Sequence, residues 1–273
     1  MSYASIMVYV EGDREPEQRV RIAAGLAHKF NATLIGLSAL AMPPPAVADG
    51  VVMDEPTDAD IELTRAKLAE KGDWFRGIAG GDRRRLEWRA VLDRPIEALT
   101  REARGADLVV IGQAQAPGGA YRALDPGGAI LQLGRPALVV PEGVELLRGD
   151  HVVIGWKDTR EARRAVRDAI AFLQQATRVT VVEACGSSEA AAALRRLDDV
   201  ARYLTRHRIE AGPKVMPEQK GSAAEQLLAI AREERADLLV TGAYGHSRLG
   251  EWMFGGMTRE LLATSPICCL MSH

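Results

Sequence analysis

Short apolar runs bounded by Gly, Asp, Pro or Asn alternate along this chain with stretches whose apolar positions recur every three or four residues. Ile6-Met-Val-Tyr-Val10 and Val152-Val-Ile-Gly-Trp156 are runs of the first kind, and each precedes a helical pattern. In the later one Ala162, Ala165, Val166, Ala169, Phe172 and Leu173 draw one apolar stripe; Val20, Ala23, Ala24, Ala27 and Phe30 draw the same stripe in the earlier one. The pattern predicts strands near 5–10, 32–40, 86–92, 107–112 and 136–141, and again near 151–156, 178–184, 212–217, 237–242 and 266–271, with helices between them.

The chain repeats itself. Gly105-Ala-Asp-Leu-Val-Val-Ile-Gly112 returns as Arg235-Ala-Asp-Leu-Leu-Val-Thr-Gly242, and Arg135-Pro-Ala-Leu-Val-Val140 returns as Ser265-Pro-Ile-Cys-Cys-Leu270, both displaced by 130 positions. The opening strands are displaced by 146, so the first half carries an insertion, placed at 42–57, where Pro43-Pro44-Pro45 can join neither a helix interior nor a ladder. Apolar strands alternating with helices predict an α/β fold: two doubly wound parallel five-stranded sheets with helices on both faces, as a tandem repeat. The domains expected are 1–146 and 147–273, with the change of sheet in the Pro- and Gly-containing stretch 141–150.

Composition narrows the function classes. Of 273 residues, 47% are hydrophobic and 26% charged, and no apolar run approaches the roughly 20 residues that a membrane span requires. Lys plus Arg total 35 against 37 Asp plus Glu, so the net charge of -2 gives no electrostatic case for nucleic acid or an anionic membrane as partner. Residues 1–146 hold 17 basic and 21 acidic side chains, and the remainder holds 18 and 16, so a polyanion would favour the second half. Arg83-Arg84-Arg85, flanked by Asp82 and Glu87, reads as a solvated loop. Three cysteines make no disulfide framework, and the neighbours Cys268 and Cys269 suit opposite faces of a strand as buried thiols. No signal-peptide pattern opens the sequence, and a cytoplasmic location is the expectation.

Open parallel sheets bind ligands beyond the carboxyl ends of their strands, where helix N-termini present unpaired N–H groups. In the second half that place holds Gly242, Gly245, His246, Ser247 and Arg248, and then Gly255, Gly256 and Thr258. A phosphate chain between the two glycine clusters would meet backbone N–H groups, a helix N-terminus and the hydroxyls of Ser247 and Thr258. The spacing alone does not separate this reading from tight turns.

Gly242-x2-Gly245-x9-Gly255, after a strand and before a helix and a last strand beginning Ser265-Pro266, resembles the nucleotide-binding signature of the universal stress protein family. Both halves match in strand order, so the whole chain resembles a tandem member. The resemblance implies an adenine nucleotide, ATP with Mg, as cofactor and regulatory ligand, held by Gly242, Gly245, His246, Ser247, Gly255, Gly256 and Thr258. It also implies pairing through the last strands, 136–140 with 266–270, which is expected within one chain; a homodimer is the other way to cover those edges. Two positions depart from the family pattern. Gly256 stands where Ser, Thr or Asn is usual, and Lys157 stands where an Asp usually holds the ribose or adenine side, with Asp158 one step on. Trp156 beside them fits base stacking or core packing. The first half departs further, with Gln115 at the position of Gly245 and Pro117 close behind, and is expected to hold no nucleotide.

No catalytic residue and no metal ligand set is assigned. His246 beside Ser247 lacks a nucleophile elbow, and Trp252 with Phe254 reads as loop anchoring or a partner surface. Three functions stay open: a stress-response protein regulated by ATP in its second half, a slow ATP hydrolase, and a nucleotide-free interaction protein.

Overall fold

The computed structural model describes residues 2–42, 46–48, 51–54, 56–113, 123–217, 221–245 and 256–273. The first half runs β1 (Ser5–Tyr9), α1 (Glu17–Phe30), β2 (Thr33–Ala39), β3 (Ala46–Ala48), β4 (Val51–Asp54), α2 (Asp58–Ala79), β5 (Leu86–Val91), α3 (Pro95–Glu102), β6 (Leu108–Gly112), α4 (Pro126–Gln132) and β7 (Ala137–Val140). The second runs β8 (His151–Gly155), α5 (Arg160–Asp168), α6 (Ile170–Leu173), β9 (Arg178–Cys185), α7 (Ala190–Arg206), β10 (Ala211–Pro217), α8 (Ala223–Glu233), β11 (Leu238–Gly242), α9 (Gly256–Thr264) and β12 (Cys268–Ser272). The helical stripe starting at Ala162 is interrupted: Ala169 stands between α5 and α6, and the residues on both sides stay buried.

The strands join in the order β10-β9-β8-β11-β12-β7-β6-β1-β2-β5. Each half puts its first strand in the middle, its second and third strands to one side, and its fourth and last to the other. Within this ten-stranded sheet all neighbours from one half are parallel, and Ile6 lies beside Leu108 as Val152 lies beside Leu238, positions displaced by 146 and 130. The two five-stranded sheets are continuous because β12 pairs antiparallel with β7, Leu270 opposite Leu138. The pairing is therefore within one chain, as expected, but starts later in the sequence: Ser265 Oγ donates to the Ile267 carbonyl, and β12 begins only at Cys268. The expected insertion contains a short antiparallel ladder, β3 with β4, which the prolines ahead of it hid.

The repeated Asp of the Ala-Asp-Leu segments has a structural reason. Asp107 accepts the amides of Ala4 (2.7 Å) and Ser5 (3.0 Å), while Asp237 accepts those of Gly149 (2.7 Å) and His151 (3.2 Å). In each half the carboxylate before the fourth strand pins the start of the first strand. Two apolar cores cover the two faces of the sheet, and both span both halves. One packs α1, α2, α5, α6 and α7; the other packs α3, α4, α8 and α9. Cys268 and Cys269 point into opposite cores, and all three cysteines are buried and unpaired. The halves meet further through Tyr3, Phe30 and Phe172, whose ring centroids lie 5.1 to 5.7 Å apart edge to face. Among the described residues no helix is long and apolar enough to cross a membrane.

Candidate functional site

The strand order reverses beside β8 and β11, and a cleft of about 580 Å³ opens there at their carboxyl ends. That volume suits a drug-sized ligand. Trp156 and Lys157, following β8, form one wall, and Gly242, Gly245, Gly256 and Thr258 form another. Six of the residues singled out from the sequence therefore converge on one space. His246, Ser247 and Gly255 lie outside the described residues, as do Arg248, Trp252, Phe254, Gln115 and Pro117.

The glycines differ in their steric demands. A Cβ on Gly242 would lie 2.6 Å from the Ala162 amide nitrogen and 2.7 Å from the Glu161 carbonyl carbon, so a bare Cα is needed for α5 to pack on the end of β11. A Cβ on Gly245 would sit 3.4 Å from both Thr159 Oγ1 and Glu161 Oε2, in ordinary contact, whereas one on Gly256 would meet nothing within 4 Å. Between them Tyr244 takes a left-handed φ of 56°, unusual for a residue with a side chain. Its amide donates to Thr258 Oγ1 at 3.2 Å, so the Thr258 hydroxyl already accepts one hydrogen bond and keeps its own proton to donate.

The charges around the cleft are uneven. Lys157 is exposed at its wall and makes no ion pair among the described residues. Asp158 is exposed and turns to Arg163, away from the cleft. Glu183 lines the cleft but holds Arg196 with both oxygens, at 3.0 and 3.2 Å from Nε. Glu161 was missed in the sequence because its neighbours Arg160 and Arg163 read as a solvated face. Its side chain is only 1% exposed; Oε1 receives Arg160 Nε, and Oε2 has no hydrogen-bond partner among the described residues. Burial works to raise its pKa, but the Arg160 guanidinium and the polar groups of Thr159 and the Glu161 backbone nearby outweigh burial and hold the carboxyl below its ordinary value. Thr159 was also missed, although a Thr three residues before Ala162 is a readable helix cap: its Oγ1 accepts the Ala162 amide at 3.3 Å. Trp156 packs against the core and lines the cleft at once.

In the first half a buried arginine stands at the end of the fourth strand. Arg19, 8% exposed, donates through Nη1 to the Tyr9 carbonyl at 3.0 Å and to Glu11 at 2.8 and 3.0 Å. A Cβ on Gly112 would lie 2.3 Å from Arg19 Nη2. Asp125 caps α4, accepting the Gly127 and Gly128 amides at 3.1 and 2.9 Å, and thus occupies the N–H groups an anion would use. Asp125 corresponds to Gly255, which has no side chain to cap with.

Known proteins share this fold. A universal stress protein from Archaeoglobus fulgidus DSM 4304 superposes with a TM-score of 0.72 at 13% identity, covering 98% of this chain and 98% of its own. A protein of unknown function from Pseudomonas aeruginosa PAO1 gives 0.57 at 14% identity, over 99% of this chain and 92% of its own. A universal stress protein solved in complex with cAMP matches 52% of this chain and 98% of its own, at 25% identity and a TM-score of 0.36. Comparison with curated proteins returned no match. The sequence profile of the universal stress protein family matches residues 2–124 and again 148–273, so the chain belongs to the universal stress protein family, with two copies of its fold in tandem.

Proposed function

We propose that the second half binds an adenine nucleotide, ATP, as a regulatory ligand in the cleft between β8 and β11, and that the first half binds none. One observation carries this reading: Gly242, Gly245, the first turn of α9 and Lys157, which makes no ion pair among the described residues, all line one cleft, whereas in the first half Arg19 packs against Gly112 and Asp125 accepts the amides that open α4. Backbone amides at a helix N-terminus and an ammonium attract phosphate. Lys157 offers donors only, so phosphates dominate affinity and selection between ribose and deoxyribose is weak. A Mg ion accompanying ATP would be held by phosphate oxygens and water, since no group of three His, Cys, Asp or Glu among the described residues could hold a metal. Slow hydrolysis remains a further arm of the test and has no assigned general base.

The test uses the full chain. Heating the purified protein and chromatographing the supernatant detects co-purified nucleotide, and calorimetric titration compares ATP, GTP, deoxy-ATP and cAMP. Binding of ATP that Gly245→Val abolishes in a folded protein supports the cradle. Lys157→Asp is expected to sharpen selection for ribose. ADP accumulating from ATP would make the protein an enzyme. The rival reading, an interaction protein without nucleotide, is favoured by Glu161, whose carboxylate lies directly behind Gly245 and opposes phosphate. Absence of both binding and turnover would favour that rival.

A further inference from the structure

We infer that the first half sets the shape of the second-half cradle through one contact, Tyr244 against Gly127 of α4. The functional part of this inference rests on the nucleotide reading above. Residues 242–245 are held from several sides. Gly242 is pressed by the α5 backbone, the Ala243 carbonyl meets His273 Nδ1 at 3.1 Å, and the Tyr244 amide is tied to Thr258 in the first turn of α9. The remaining support crosses the pseudo-twofold between the halves. The Tyr244 ring leaves the cradle and lies against the start of α4, where a Cβ on Gly127 would stand 2.3 Å from the tyrosine Oη and 3.6 Å from Cζ. A side chain at 127 would oblige the hydroxyl to shift.

The phenol stays a neutral donor: burial raises its pKa, and the nearby Asp125 charge adds to the rise. Because Tyr244 also carries the left-handed backbone between the two cradle glycines, a push on its ring is a push on the φ of 56° that aims Gly245 at the cleft. The two halves are then linked thermodynamically. Whatever displaces α4 weakens the site across the join, and ligand in that site resists displacement of α4. Gly127 and Tyr244 act as positioning residues, with no contact to the ligand required of Gly127.

The experiment compares the parent, Gly127→Ala, Tyr244→Phe and the double variant, all as full chains with circular dichroism as a check on folding. Two quantities are read: ATP affinity, and hydrogen exchange of the Tyr244 amide by NMR. Gly127→Ala is expected to weaken ATP by about tenfold and to speed that exchange by a similar factor. Adding Tyr244→Phe removes the atom that the new methyl meets and should return both quantities to within about twofold of the parent. A folded Gly127→Ala protein whose Tyr244 amide exchanges as in the parent overturns the inference, as does a defect that the phenylalanine does not reverse. If the parent binds no ATP, the nucleotide reading fails by itself and the exchange arm still decides the coupling. If Gly127→Ala does not fold, recovery of the fold in the double variant supports the contact, and failure of both refutes it.

Discussion

The two halves share a strand order, a register and the Asp that pins the first strand, yet treat the same corner of the fold in opposite ways. At the start of the helix after the first strand, the first half buries Arg19 and the second buries Glu161, each beside the glycine that ends the fourth strand. Arg19 is satisfied by Glu11 and a backbone carbonyl, and its guanidinium stands against Gly112 at the end of the fourth strand. Glu161 keeps one oxygen without a partner among the described residues and leaves the cleft open. The difference teaches that retaining glycines does not retain a site: Gly112, Gly127 and Gly128 are all present, but one side chain fills the space and another caps the helix.

The strongest test of this contrast removes the plug. Arg19→Ala strands a largely buried Glu11 and should cost about 3 kcal/mol in chemical denaturation, without creating an ATP site, because Asp125 still caps α4. ATP binding in the first half of that variant would show that steric filling alone had closed it. Arg163→Ala, which breaks an exposed pair with Asp158, should leave stability nearly unchanged.

Next in size is a pair of matched substitutions. Gly242→Ala drives a methyl into the α5 backbone and should cost about 2 kcal/mol; Gly112→Ala meets only the tip of Arg19 and should cost about half that. Equal melting shifts would mean that the two helix contacts are equally rigid. Affinity changes come third. Glu161→Gln keeps an acceptor for Arg160 while removing a charge from behind Gly245, and is expected to tighten ATP by up to about tenfold at low salt. Gly256→Ser enters open space at the helix start and should tighten it by about threefold. The smallest effect is a rate: burial pushes the Cys268 and Cys269 thiols up to about 12, so alkylation at pH 8 should be slow until the second half opens. Fast labelling in the folded protein would contradict the two-core packing of β12.

Much of this architecture was legible in the sequence, because the inner strands such as β1, β6, β8 and β11 leave buried apolar runs and the 130-residue echo matches the halves, whereas the edge strands β5 and β10 are mostly half-buried or exposed. The ladder of β3 and β4 was not, since three prolines precede it and neither strand is long. Arg19 was hidden for a different reason: an arginine beside a stripe of alanines reads as solvated, and only the joint presence of Glu11 and Gly112 could have betrayed its burial. Asp125-Pro126 was readable as a helix cap followed by a proline at the first helical position. The glycines after it drew attention instead. No propensity rule points to Tyr244 in the left-handed region, because its conformation is imposed by Thr258 and α4, which are distant in sequence.

The antiparallel meeting of β7 and β12, with Leu138 facing Leu270, has a consequence for how such a protein can change. Two separate identical chains joined by this edge would carry every substitution twice, once on each side of the symmetry axis, and would come apart on dilution. Here the join is covalent in effect: its strength is independent of protein concentration, and a substitution falls on one side only. A single lineage can thus close one cleft with an arginine and keep the other open, a division of labour that an identical pair could never reach.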